Sequence, residues 1–462
     1  MISIFAFLLP YLLLFYFLFR SVKKPGYLLG IPFLMFLRYC IFFENVKIFS
    51  IPGRFSPDIL LIVWMIIVWI ILRFINASPF SNKDNNLYIK NETNSLDYII
   101  IGLMIITIID LFIVYIQNLR IDNVFNEFVT MFSLFLGFFI IKYVLRNFSP
   151  SDLADFLFSI VLINTIASCL YILHQGLHFT IYENDEYISE IFQGEVITRT
   201  FWFMPLFWLF SISYLFVFKK PKSVFYFILL IINLLALFIS YTRSFLIITI
   251  IILLLYFLLI AYKQNNFGVA AKNIFLAIIV GLILVVAISK IFPANTNYFF
   301  SRFKELKQNR FDEESNSLVY RFTKTSEIFE SIEPDKLILG YGPVTETQLS
   351  LVRSMKVTAW DLVWTAVLFR WGIIGTALFV LLYAVSILKA FSLFMKRNDI
   401  LSKLALLLLL IIVSELLESF ISETFLISDR YALSFWYFGM LSALLLADKN
   451  SIDLTTKEQK NG

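Results

Sequence analysis

Charge is what this chain lacks most. Asp, Glu, Lys and Arg make up 15% of its 462 residues, where a soluble domain carries about a quarter. Such a share cannot cover a water-facing surface. The net charge of +5 is small and says nothing about nucleic acid; where the charges sit matters more than their sum. Cysteine is scarcer still. Cys40 and Cys169 are the only two, both in apolar runs and outside any CxxC or CxxH pattern. Neither a disulfide framework nor a metal centre is implied. His174 and His178 have no third ligand beside them and read as interfacial histidines. Long hydrophilic stretches are also missing, apart from 293–358. The opening MISIFAFLLPYLLLFYFLF has no basic n-region and no A-x-A cleavage site, so it reads as a retained first span rather than a secretory signal.

Apolar residues fill the space that charge leaves. They make up 60% of the chain, and mean hydropathy is +0.82. Lipid is then the main solvent, and helices that satisfy their own backbone are the expected element. The expected fold is an all-α polytopic transmembrane helix bundle. A span needs about 20 apolar residues. Candidates lie near 2–19, 27–43, 58–77, 98–116, 128–145, 152–173, 201–218, 223–240, 245–262, 274–292, 362–388, 400–421 and 432–447. This divides the chain into N-terminal helices (1–198), central helices (199–292), a long loop (293–358), C-terminal helices (359–447) and a tail (448–462).

Orientation follows from the short basic loops. RSVKKPG (20–26), KKPKS (219–223), KQNNFGVAAKN (263–273) and KAFSLFMKRND (389–399) fall on one side if the spans are counted as above. The positive-inside rule makes that side cytoplasmic. The acidic loop IYENDEYISEIFQGEVITR (181–199) and the segment 293–358 then face outward, and the NET at 91–93 faces inward. Within 293–358, Leu318, Phe322, Phe329 and Ile332 recur at helical spacing after a Ser-Asn-Ser start. Pro334 ends that helix, and GYGP (340–343) makes a turn. No internal repeat is visible, which weighs against a transporter built from two related halves.

A charge in the membrane costs several kcal/mol unless it is paired or wetted. Arg73, Lys142 and Lys290 lie near span ends and read as snorkelling side chains. Arg38 and Asp110 sit near mid-span, either as a structural ion pair or as part of a site. Arg243 stands in FISYTRSFLII, where few polar residues separate two apolar helices. Arg199 enters TRTFWFMPLF from the acidic loop, and Arg321 lies in SLVYRFTK. All three belong to the outer side. They are either surface arginines paired with carboxylates or forks for phosphate. Their place beside apolar surface favours a lipid-linked phosphate.

The apolar run AWDLVWTAVLFRWGIIGTALFVLLYAVSIL (359–388) holds Asp361 and Arg370. Nine residues put them on opposite faces of one helix, roughly 13 Å apart along it. They cannot pair with each other. Asp361 is either an N-terminal helix charge or a partly desolvated general base. In SELLESFISE, Glu415 and Glu418 share a face. They read first as counter-charge for a cation such as Arg370, and only second as catalytic.

Together these residues resemble the O-antigen polymerase / O-antigen ligase superfamily of bacterial membrane glycosyltransferases, over roughly 199–388. Four pieces carry the resemblance. They are Arg199 opening a span, the SYTRS turn with Arg243, the loop sequence ESNSLVYRF followed by ILGYG, and the frame Asp361-Leu362-x9-Gly372-Ile-Ile-Gly375. In ligases that frame begins with His; here it begins with Asp. The resemblance implies transfer of a glycan from undecaprenyl diphosphate at the periplasmic face of the inner membrane, without metal or other cofactor. Asp361 would then be the base. Arg199, Arg243 and Arg321 would hold donor or acceptor phosphates, with Arg243 also stabilising the leaving diphosphate and Arg370 contributing to binding. A polymerase acting on carrier-linked repeat units, with a chain-length regulator among its partners, is the reading favoured by the Asp. A ligase acting on lipid A core is the first alternative, and a lipid-linked oligosaccharide flippase comes from another class.

Overall fold

The computed structural model describes residues 2–23, 93–116, 121–145, 149–173, 188–192, 195–199, 204–218, 223–240, 243–291, 332–342 without 335, 363–420 and 435–449, with isolated positions between. Its helices are α1 (Ile2–Lys23), α2 (Ser95–Ile116), α3 (Ile121–Leu145), α4 (Pro150–Tyr171), α5 (Met204–Val217), α6 (Val224–Ile239), α7 (Arg243–Gln264), α8 (Phe267–Ile291), α9 (Val363–Lys396) and α10 (Ile400–Ser419). An eleventh, α11, spans 435–449. Every expected span coincides with a helix except those at 27–43 and 58–77, which fall largely outside the described residues. Among the described residues, five helices are long and apolar enough to cross a membrane. They lie in α2, α4, α7, α9 and α10. The chain is a multi-pass, all-α membrane protein.

One short β-hairpin adds to that class. Strands β1 (Ile188–Phe192) and β2 (Glu195–Arg199) pair antiparallel, with Ile188 opposite Arg199 and Phe192 opposite Glu195. The acidic stretch 181–199 therefore contains strands, and their signal was the Gln193-Gly194 step between two stretches rich in β-branched residues.

The chain divides into two compact units, and the boundary cuts α4 after Phe156. The first contains the rest of α4, the hairpin and α5–α8. Its centre is polar. Asn164 on α4 donates to Asn233 Oδ1 on α6 (2.8 Å), to Ser211 Oγ on α5 (2.9 Å) and to the Phe207 carbonyl (3.1 Å). Asn233 donates in turn to Thr165 Oγ1 and to the Leu229 carbonyl, both at 2.8 Å. Trp208 Nε1 donates to Ser168 Oγ at 2.8 Å. These side chains are buried. Apolar contact gives helices little reason to choose one another in lipid, so interhelical hydrogen bonds of this kind specify the packing.

The second unit contains α1 from Pro10 onward, α2, α3, the start of α4, and α9–α11. Helix α9 packs on α10 and on α2, and α2 packs on α3. Lys142 corrects one expectation. It does not snorkel; it is 8% exposed and pairs with Asp97 at 2.5 Å. Asp97 also accepts from the Asn94 N–H and from Ser442 Oγ, while Asn94 Oδ1 accepts from the Leu96 and Asp97 N–H groups. Asn94 and Asp97 cap α2 reciprocally, and the ion pair fastens α2 to α3 and α11. Arg397, after α9, donates to Asp448 Oδ1 at 2.6 Å. Lys290 is exposed near the end of α8.

Asn233→Leu should lower the thermal stability of the detergent-purified protein by about 1–3 kcal/mol, because Asn164 and Thr165 lose their buried partner. In a double-mutant cycle with Asn164→Leu, the pair should cost less than the sum of the singles. Strict additivity of the melting shifts would mean that the two asparagines do not interact.

Candidate functional site

Helix α9 is broken at Gly372, whose φ of 61° and ψ of −164° lie outside the helical region and suit only glycine. The break is a fold-back. Trp364 and Phe379 are fifteen residues apart, which a straight helix would separate by about 22 Å. Their rings lie 5.7 Å apart. Trp371, one heptad after Trp364 and so on the same face, also meets Phe379, at 6.2 Å. Phe379 is thus held by both tryptophans of the short half-helix 363–371. Trp371 extends the contact to Phe135 on α3, and Trp364 Nε1 donates to Ser419 Oγ at the end of α10.

A broken helix leaves carbonyls on one half and N–H groups on the other without partners. Within a membrane each orphan costs several kcal/mol. The loop before α9 supplies the partners. The Tyr341 N–H donates to the Phe369 carbonyl (2.8 Å) and the Gly342 N–H to the Arg370 carbonyl (2.9 Å). In the other direction, the Ile373 N–H donates to the Leu337 carbonyl (2.9 Å) and the Ile374 N–H to the Ile338 carbonyl (3.3 Å). Thr376 Oγ1 caps the Gly372 carbonyl at 2.7 Å. The Tyr341 ring stacks on Phe369 at 4.4 Å, and its hydroxyl accepts from the Glu333 N–H.

The glycines permit this docking. A Cβ on Gly340 would collide with the Arg370 carbonyl, and one on Gly372 with the Ile338 carbonyl. A Cβ on Gly342 would stand 2.7 Å from Asp110 Cβ on α2. The glycines of ILGYG and the first glycine of the G-x-x-G frame therefore meet in space, thirty residues apart in sequence, with Asp110 beneath them.

The structure describes part of the expected set, Arg370, Glu415 and Glu418 in the second unit and Arg199 and Arg243 in the first. Arg370 lies two residues before the break and is half-buried. Glu415 and Glu418 are 2% and 3% exposed on the last turns of α10, and Tyr383 on α9 lies within electrostatic reach of both. Arg243 is the first residue of α7, right after the turn that follows the Ser240 cap of α6. Arg199 ends strand β2 rather than opening a helix, since α5 begins at Met204. Asp361, Arg321, Arg38, Arg73 and the two histidines lie outside the described residues, as do Leu318 and Phe322. Helix α9 begins at Val363, so Asp361 precedes it by two residues. The Ile332 N–H donates to the Phe329 carbonyl at 3.3 Å before Pro334; most of the helix expected there lies outside the described residues. No group of three His, Cys, Asp or Glu residues gathers as a metal site among the described residues.

Residues 228–380 match the family model described as O-antigen ligase (Wzy_C). The match includes Arg243, Arg321, ILGYG, Asp361, Arg370 and Gly372, and it leaves Asp110, Arg199, Glu415 and Glu418 outside. No curated protein matches the chain.

Gly372→Ala should lower the melting temperature of the purified protein by an amount equivalent to at least 1–3 kcal/mol of backbone strain. Gly281→Ala is the control: a Cβ there meets nothing within 4 Å, and alanine favours a helix. Equal melting temperatures for the two variants would contradict the docked break.

Proposed function

From this chain's likeness to the O-antigen ligase and polymerase superfamily, we propose that it is a membrane glycosyltransferase that polymerises undecaprenyl diphosphate-linked repeat units. The observation that carries the reading is the docking of ILGYG into the Gly372 break. Two pieces of the superfamily pattern, distant in sequence, form one hydrogen-bonded unit inside the matched region.

The reaction has simple demands. The hydroxyl oxygen of an acceptor sugar attacks the anomeric carbon of the donor. The bond from that carbon to the diphosphate breaks, and the diphosphate leaves on its carrier. The hydroxyl proton passes to a base, assigned to Asp361, which is suited to the role as a carboxylate near the start of an apolar helix. Negative charge grows on the leaving diphosphate, and guanidinium forks are the side chains suited to it. Arg243 is assigned to that charge. Arg199, Arg321 and Arg370 are assigned to substrate binding, with Glu415 and Glu418 as counter-charge. The basic loops put the working face outside the cytoplasm, periplasmic in a bacterial inner membrane. The partners on this reading are the carrier-linked donor and acceptor, membrane lipid and a chain-length regulator; no cofactor takes part.

The family description favours a second reading, a ligase that passes the glycan to lipid A core. Asp361, where the ligase frame has His, supports the polymerase. A deletion strain separates the two on a surface-glycan gel. The polymerase reading expects a core capped by a single repeat unit, whereas loss of all capping would mean ligase. An unchanged ladder would contradict both. Complementation with Arg243→Ala should insert normally and restore no long chains.

A further inference from the structure

We propose that Asp110 binds a hydroxyl of the glycan, a role that rests on the glycosyltransferase reading. Asp110 is 2% exposed on α2. Its Oδ2 is shielded and accepts no hydrogen bond among the described residues. The nearest polar neighbour one turn earlier, Thr107, sends its hydroxyl to the Leu103 carbonyl instead.

Asp97, on the same helix, shows what the chain does with a structural carboxylate. It receives Lys142, the Asn94 N–H and Ser442. Asp110 has been given no such set. A buried acceptor without a partner is costly, and such a cost persists where function needs it.

The position is informative. Asp110 lies thirteen residues beyond Asp97, about 20 Å along α2, at the level of the broken helix. Gly342 packs directly on it, and the Gly342 N–H is bonded to the Arg370 carbonyl. The carboxyl thus sits under the turn that the superfamily pattern marks. It belongs to no group of three or more His, Cys, Asp or Glu residues that could hold a metal ion among the described residues, so it is poorly matched to one. A neutral O–H donor fits it, and a sugar offers several.

The test uses full-length protein in proteoliposomes with a carrier-linked glycan as substrate. Asp110→Leu keeps the branched shape and removes the polar atoms. It is expected to melt at or above the wild-type temperature, because an unpartnered buried polar group has been replaced by an apolar one. It is also expected to raise KM for the glycan roughly tenfold or more, with a smaller change in kcat, as loss of a ground-state contact does. Asp110→Asn, which keeps an acceptor oxygen, should fall between the two. Wild-type KM in both variants would overturn the proposal. So would melting well below wild type in both, because that would make Asp110 a structural partner. A wild-type protein that transfers no glycan would overturn the glycosyltransferase reading itself, and this proposal with it.

Discussion

A helix that breaks inside a membrane must have its freed backbone groups satisfied by protein, because lipid offers nothing in exchange. That constraint organises the second unit of this chain. The break at Gly372 frees carbonyls at Phe369 and Arg370 and N–H groups at Ile373 and Ile374. The segment 337–342 meets all four. Much follows from this. The segment must run close to the helix, so glycine is required at 340 and 372, where a side chain would strike a carbonyl. The short half-helix must fold back, so Trp364 and Trp371 close on Phe379. The segment 337–342 is thereby held against the break, bonded to the Arg370 carbonyl and with Gly342 packed on Asp110.

Elsewhere the chain treats its buried polar groups differently. The Asn164–Asn233 network and the Asp97–Lys142 pair are saturated with partners, and their work is to select helix neighbours. The region around the break is less complete. There, Asp110 Oδ2 is buried and has no hydrogen-bond partner among the described residues. Saturated polar contacts fix a fold, whereas incomplete ones leave room for a ligand.

The spans were legible because lipid imposes a length and a composition on each, and both are local properties of the sequence. The order of the motifs was equally readable. What escaped was every relation set by long-range packing. Lys142 resembled a snorkelling residue because its partner Asp97 is forty-five positions away. The run 362–388 read as one straight helix, since two glycines in an apolar stretch are common in membrane helices and nothing local announces a reversal. Asp110 was conspicuous as an acid among isoleucines, yet its neighbour proved to be Gly342, which only the fold could reveal. The hairpin at 188–199 was hidden within a loop read for its acidity.

Amide hydrogen exchange on the protein in nanodiscs tests the docked break most directly. The account predicts that the amides of Tyr341, Gly342, Ile373 and Ile374 exchange slowly, as fully bonded helix interiors do. Exchange of Tyr341 and Gly342 at the rate of an open, solvated loop would contradict it.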